Sequence, residues 1–154
     1  MEEKIQKFYE YLDGLLKSYT KLADSLNKKI DAVTKGDLDK LSYVMKDEQA
    51  YVLLSRGFDE HVKGYQEGIG VAGDTLSDII PKLPEEYQTR FRALYLELRS
   101  KLEEVKGLNG ICQTALESKL EGIGRQLQGS EGAQYSIGKQ VLREPAKGLF
   151  DRLI

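Results

Sequence analysis

The residues best able to support chemistry are a lone histidine and its acidic neighbour. His61 follows Glu60, and imidazole and carboxylate groups are common metal ligands. A helical metal site would add a ligand one turn away, but the positions four residues before and after His61 hold Gly57 and Tyr65. We therefore interpret His61 as a surface or edge residue and expect neither a metal nor a cofactor.

The only cysteine is Cys112, which excludes an internal disulfide and fits a reducing compartment. No histidine or basic group is placed to activate its thiol, so we expect a buried and unreactive side chain. The Asp and Glu residues are spread along predicted helix faces, whereas acid–base catalysis needs two carboxylates gathered in a pocket. The sequence therefore argues against an enzyme.

The glycine-rich stretch 68–74 has a composition found in phosphate-binding loops. It lacks the flanking strand and the Gly-Lys-Ser/Thr ending on which that function depends. We interpret it as a flexible break, followed by a short helical turn over residues 75–83 that Pro81 and Pro84 bring to an end.

Length and composition favour one thin helical domain. The chain has 154 residues, of which 40% are apolar and 31% charged, a balance typical of an elongated bundle with a small core. A net charge of −2 without a basic cluster argues against nucleic acid as a partner. No secretory signal and no window apolar enough to span a membrane is found, so we expect a cytoplasmic protein without stable membrane insertion.

Apolar residues recur every three or four positions in three long segments, which predicts three helices. They cover about residues 2–34, 38–66 and 84–127, and the third is the longest. Gly36 suits the left-handed position after a helix, and Asp37 can cap the next one, so the first two segments should form an antiparallel hairpin. The apolar stripe of the third segment is Tyr87, Phe91, Leu94, Leu98, Leu102, Val105, Leu108, Cys112, Leu116, Leu120, Ile123 and Leu127.

Two features interrupt the helical pattern. Glu48 falls on the apolar seam of the second segment, and we interpret it as tilting to solvent at the bundle edge. Gly107, Gly110, Gly122 and Gly124 each weaken the third helix by about 1 kcal/mol relative to alanine. They indicate either local fraying or a half-helix that stays adaptable and allows another helix to approach closely.

The composition changes after residue 128, which divides the chain into a helical bundle, 1–128, and an apolar tail, 129–154. We predict an all-α fold, an elongated antiparallel bundle or coiled coil of three main helices with a mobile tail. The end of the third helix should extend beyond the shorter second helix, and with the tail it should bind a partner. This predicted partner surface consists of Leu116, Leu120, Ile123, Leu127, Tyr135, Val141, Leu142, Leu149 and Phe150.

Residues spread along most of the chain match one family pattern. They are Leu12, Leu15, Leu16, Leu22 and Leu26, the turn Lys35-Gly36-Asp37-Leu38 followed by Leu41, Glu48 and Arg56, then Leu94, Leu98, Leu102, Leu108-Asn109 and Leu116, and Tyr135 to Gly138. Cys112 stands where the family often has a second Asn. In these features the chain resembles the FlgN family of flagellar type III export chaperones.

The resemblance implies a cytoplasmic chaperone that binds the hook–filament junction proteins FlgK and FlgL. It also implies that the chaperone keeps these clients from premature assembly and delivers them to the flagellar export apparatus. Their amphipathic terminal helices would be covered by helix-in-groove packing. We expect the predicted partner surface to do this, and Tyr135 to serve in docking at the export gate.

Two other interpretations remain open. A structural coiled-coil module would dimerise or tether without a client, and its tail would pack on its own chain or on a copy of itself. An enzyme built on a bundle would need a bound metal or cofactor, for which the sequence provides no ligand set.

Overall fold

The computed structural model describes the backbone of residues 1–124, and their side chains apart from those at positions 52, 54, 55 and 122–124. Its elements are α1 (Glu2–Lys35), α2 (Leu38–Ser55), α3 (Phe58–Ile69), α4 (Leu76–Ile79), a 3-10 turn (Ile80–Lys82) and α5 (Glu85–Gly124). Residues 1–124 contain no strand, and the predicted all-α bundle is confirmed. The predicted tail and the last predicted residues of the third helix lie outside this part of the chain.

The central helix of the bundle is α1. Its predicted apolar seam is buried at every position from Ile5 to Leu26 and again at Val33, while Ile30 is partly buried. This helix packs against α5 along one side and against α2 and α3 along another. A stripe this wide on one helix can cover two partners at once.

The turn between α1 and α2 has the predicted geometry. Gly36 has a φ of 70°, in the left-handed region that ends helices, and Asp37 caps α2 by accepting a hydrogen bond from the Lys40 backbone N–H at 3.0 Å. The side chain of Lys40 also binds Asp31 of α1 at 2.7 Å. These contacts bring α2 back antiparallel to α1.

The predicted second helix is divided into two. Gly57 adopts a φ of 76°, which breaks the helix between α2 and α3. The buried face of α2 also differs from the predicted seam, since Leu38 is 70% exposed and Val44 is buried. The chain still continues antiparallel to α1, because the ring of Tyr65 in α3 stacks 5.3 Å from that of Phe8.

The long helix α5 runs parallel to α1. Near the start of both helices, the rings of Phe8 and Phe91 are 5.6 Å apart. Towards their other ends, the thiol of Cys112 donates to the carbonyl oxygen of Leu26 at 3.5 Å. The bundle is therefore arranged up, down and up, and α1 and α5 form a parallel pair.

The glycine-rich stretch is a structural connection at the end of the bundle where α5 begins. Gln66 donates to the carbonyl oxygen of Gly73 at 2.7 Å, and a Cβ at Gly73 would lie 3.0 Å from Cβ of Asp78. Thr75 and Asp78 then form a capping box at the start of α4. The buried side chains of this region, which close the core, are Leu76, Ile79, Ile80 and Leu83.

Candidate partner-binding site

Among the described residues, the apolar stripe of α5 is less buried towards the end of the helix. Its buried members are Phe91, Leu94, Leu98, Leu102, Val105 and Cys112. Beyond Cys112, the next two members, Leu116 and Leu120, are only partly buried. They lie one helical turn apart on the same face, so together they form an apolar strip that is only partly covered.

The register of α1 and α5 fixes where this strip lies. Because Cys112 is opposite Leu26, Leu116 and Leu120 lie beside the last turns of α1. The turn into α2 begins at the same end of the bundle. The end of the third helix was expected to extend beyond the second, but because α5 runs parallel to α1, Leu116 and Leu120 lie near the start of α2.

The structure brings together only part of the predicted partner surface. Leu116 and Leu120 share one face of α5, whereas the side chain of Ile123 is not described. The remaining predicted members lie outside the described residues: Leu127, Tyr135, Val141, Leu142, Leu149 and Phe150.

Next to this strip is a buried ion pair that the sequence interpretation missed. Glu48 does not tilt to solvent, and that prediction was wrong. Its Oε2 lies 3.2 Å from Nζ of Lys29, and the two side chains are 5% and 3% exposed. The sequence did indicate that Lys29 is buried, because it lies three residues after Leu26 and four before Val33, on the same face of α1.

Burial dominates the electrostatics of Glu48. Removal from water raises the pKa of this carboxyl above its ordinary value, while the charge and hydrogen bond of Lys29 act in the opposite direction and Asp47 raises it further. The other carboxyl oxygen, Oε1, has no hydrogen-bond partner among the described residues. Beside the pair, Ser25 donates to Oδ2 of Asp47 at 3.1 Å.

Cys112 adjoins this ion pair from α5. Its side chain is fully buried, as predicted, and burial raises the pKa of the thiol to about 11. The charge of Lys29 lowers the thiol pKa and that of Glu48 raises it, so all three groups lie within electrostatic range. Cys112 of α5 therefore lies close to the ion pair that joins α1 and α2.

His61 is exposed, as predicted, and its ring lies 5.1 Å from that of Tyr11. Within residues 1–124, no group of three His, Cys, Asp or Glu side chains is arranged to hold a metal ion. None of the helices described in that range is both long enough and apolar enough to cross a membrane.

Gly107 and Gly110, in the middle of α5, lie on its outward face and are not packed against another described helix. A Cβ at Gly107 or Gly110 would meet nothing within 4 Å, so no other helix of the described chain approaches them. Nearby, Ile111 is 55% exposed. A helix that packs closely on Gly107 and Gly110 would therefore have to come from outside the described bundle.

Comparison with known proteins gives one match that covers most of the chain. The model of the family described as FlgN protein matches residues 1–138. No curated protein and no solved structure matches the chain.

Proposed function

The chain belongs to the FlgN family of flagellar export chaperones, and from this we propose that it binds the hook–filament junction proteins FlgK and FlgL in the cytoplasm. It covers their amphipathic terminal helices, keeps them from premature assembly and delivers them to the export apparatus. The observation that carries the proposal is the family match over residues 1–138, which includes all of the described bundle.

The second half of α5 and the tail 129–154 form the client site in this proposal. Supporting it, burial of the α5 stripe weakens after Cys112, so that Leu116 and Leu120 keep apolar surface for a partner. An amphipathic client helix gains most where it can remove such surface from water, at about 25 cal/mol per Å² of apolar area.

Calorimetry tests this assignment directly. The full chain and a chain lacking residues 129–154 are titrated with the C-terminal helical segment of FlgK, and then of FlgL, from the same organism. Tight one-to-one binding that truncation weakens is the expected result. Undiminished binding by the truncated chain would place the site on the bundle alone, and absence of binding by both would defeat the chaperone proposal.

A matched pair of variants tests the strip on α5. Leu116→Ala combined with Leu120→Ala should weaken client binding by about tenfold or more, or about 1.4 kcal/mol, since two apolar contacts are lost. Ile111→Ala is the control, because Ile111 is 55% exposed and lies on the outward side of the same helix. Equal effects of the two variants would argue against a client site at this strip.

The tail residue Tyr135 is proposed to dock the loaded chaperone at the export gate. The corresponding experiment is Tyr135→Ala, with client and gate binding measured separately. Lost gate binding with retained client binding is expected, while unchanged gate binding would remove Tyr135 from this role.

The alternative of a tethering module without a client is separated by the same titrations. It requires that no client helix binds and that the free chain self-associates. Light scattering of the purified chain, alone and with the client segment, therefore accompanies the calorimetry. A stable homodimer that ignores the client segment would favour the tethering module.

A further inference from the structure

The helix α2 lies at the edge of the main hydrophobic core. The buried members of that core come from α1, α3, α4, α5 and the turn between α4 and α5, and none comes from the described side chains of α2. Val44 of α2 is buried, but outside this cluster. The described α2 side chain that packs against the core is Tyr51, which is only partly buried.

Polar contacts also hold α2 against α1. Three side-chain pairs form this polar seam, at 2.7, 3.1 and 3.2 Å respectively: Lys40 with Asp31, Asp47 with Ser25, and Glu48 with Lys29. A buried ion pair contributes little net stability, because desolvation offsets much of the attraction. Elements held in this way open locally at lower free energy than the core.

The polar seam covers a groove between the parallel helices α1 and α5. Leu26 and Lys29 line its α1 side, and Cys112 lines its α5 side. Glu48 of α2 meets Lys29 at this groove, with its Oε2 3.2 Å from Nζ of Lys29. Leu116, one turn after Cys112, continues the groove in a partly exposed region.

We propose that α2 swings away from α1 and α5, and that the uncovered groove binds an amphipathic client helix with a carboxylate placed opposite Lys29. This inference rests on the proposed chaperone function and identifies the client helix by its chemistry. The client helix takes the place of α2 and repeats its pattern: an aliphatic residue at the position of Val44 and an acidic residue four positions later, at the position of Glu48.

Charge is the reason for the acidic residue. Lys29 is 3% exposed, and a buried cation left without an anion is costly. An opened α2 removes the only carboxylate paired with Lys29 among the described residues, so a client helix that supplies another is favoured over one that does not. Leu116 and Leu120 offer the client a first apolar contact before α2 has left.

A reducible lock provides the test. Ser25→Cys combined with Asp47→Cys places two thiols at facing positions of α1 and α2, whose native side chains are joined by a hydrogen bond of 3.1 Å. Oxidation, verified by the loss of two free thiols, ties α2 to α1. The same protein is titrated oxidised and reduced, with the C-terminal helical segment of FlgK as the probe. The reduced form should bind like the wild type and the oxidised form at least about tenfold more weakly. Equal affinity of the two forms would overturn the inference.

A second variant tests the same inference without a disulfide. Lys29→Met combined with Glu48→Leu replaces the ion pair by apolar side chains, which should hold α2 more firmly and removes the cation that selects the client. Client affinity at least about tenfold below that of the wild type is expected. Wild-type affinity in this folded double variant would contradict the inference.

Hydrogen exchange of the free protein tests the opening without any client. Amides of α2 should exchange faster than those of α1 around Leu12, and oxidation of the lock should slow them. Protection of α2 equal to that of α1 would overturn the inference. Failure of the wild type to bind any client segment would instead defeat the proposed function, whereas client binding that ignores the lock defeats only the role of α2.

Discussion

Nζ of Lys29 in α1 lies 3.2 Å from Oε2 of Glu48 in α2, and both side chains are almost completely buried. The two residues are on neighbouring helices of one hairpin, so their pairing fixes the register of α2 against α1. A buried pair of this kind specifies an arrangement more than it stabilises one, because both ions must leave water to form it.

Replacing only one residue of this ion pair should therefore change the free energy of unfolding differently from replacing both. Glu48→Leu leaves Lys29 buried without an anion, and we expect the free energy of unfolding to fall by about 3–5 kcal/mol. The double variant with Lys29→Met as well should regain all of that loss or exceed the wild type. Urea unfolding followed by circular dichroism measures both. A double variant as unstable as the single one would show that the pair is a net stabiliser.

The same carboxyl should give the folding equilibrium a pH dependence of unusual sign. Because burial raises the pKa of Glu48, the folded state holds this proton more tightly than the unfolded state, in which the pKa is near 4.5. The contribution of Glu48 to stability is therefore fully present below that value and is lost as pH rises through the raised pKa.

Comparison with Glu48→Gln isolates this contribution. The wild type minus variant difference in unfolding free energy should decrease as pH rises from about 4.5. Asp31 is half-buried, and its hydrogen bond with Lys40 is the main cause that lowers its pKa, so its contribution to stability has the opposite pH dependence. That contribution cancels in the difference because both proteins contain Asp31. A difference that increases with pH would mean that attraction to Lys29 outweighs burial.

Gly73 should not tolerate a side chain. A Cβ there would lie 3.0 Å from Cβ of Asp78 and 3.2 Å from Cγ1 of Ile79, so Gly73→Ala should cost about 1–3 kcal/mol of unfolding free energy. Gly64→Ala is the matched control, since a Cβ at Gly64 meets nothing within 4 Å and alanine favours the helix by about 1 kcal/mol. Thermal unfolding of both variants measures the contrast, and a neutral Gly73→Ala would contradict this packing.

Alanine in the middle of α5 should distinguish the two interpretations of its glycines. Gly107→Ala and Gly110→Ala should each stabilise the free protein by about 1 kcal/mol, because both sites are open. Both variants should bind the client with wild-type affinity, because the proposed groove between α1 and α5 does not include Gly107 or Gly110. A strong loss of affinity would show instead that a partner helix packs closely on the glycine face.

The thiol of Cys112 should react slowly with a disulfide reagent in the folded protein. Burial raises its pKa from 9.0 to about 11, so at neutral pH the folded state holds about a hundredfold less thiolate than an ordinary cysteine. Ellman's reagent near pH 8, with and without urea, measures the two rates. Rapid labelling of the native protein at the unfolded rate would contradict the buried position.

The sequence by itself determined the features that depend on neighbours along the chain. The seam of α1 from Ile5 to Val33 follows from helical spacing, and the turn at Gly36 and Asp37 follows from backbone conformation and capping. The buried position of Cys112 follows in the same way from its place on the α5 stripe.

The tertiary structure decided the features that depend on residues far apart. Glu48 is buried because Lys29 meets it across the hairpin, and a seam pattern in one helix does not show what the facing helix supplies. The position of Leu116 depends on α5 running parallel to α1, which the connection through α4 sets. Periodicity gives each helix a buried face, but only packing decides which faces meet and in which direction the helices run.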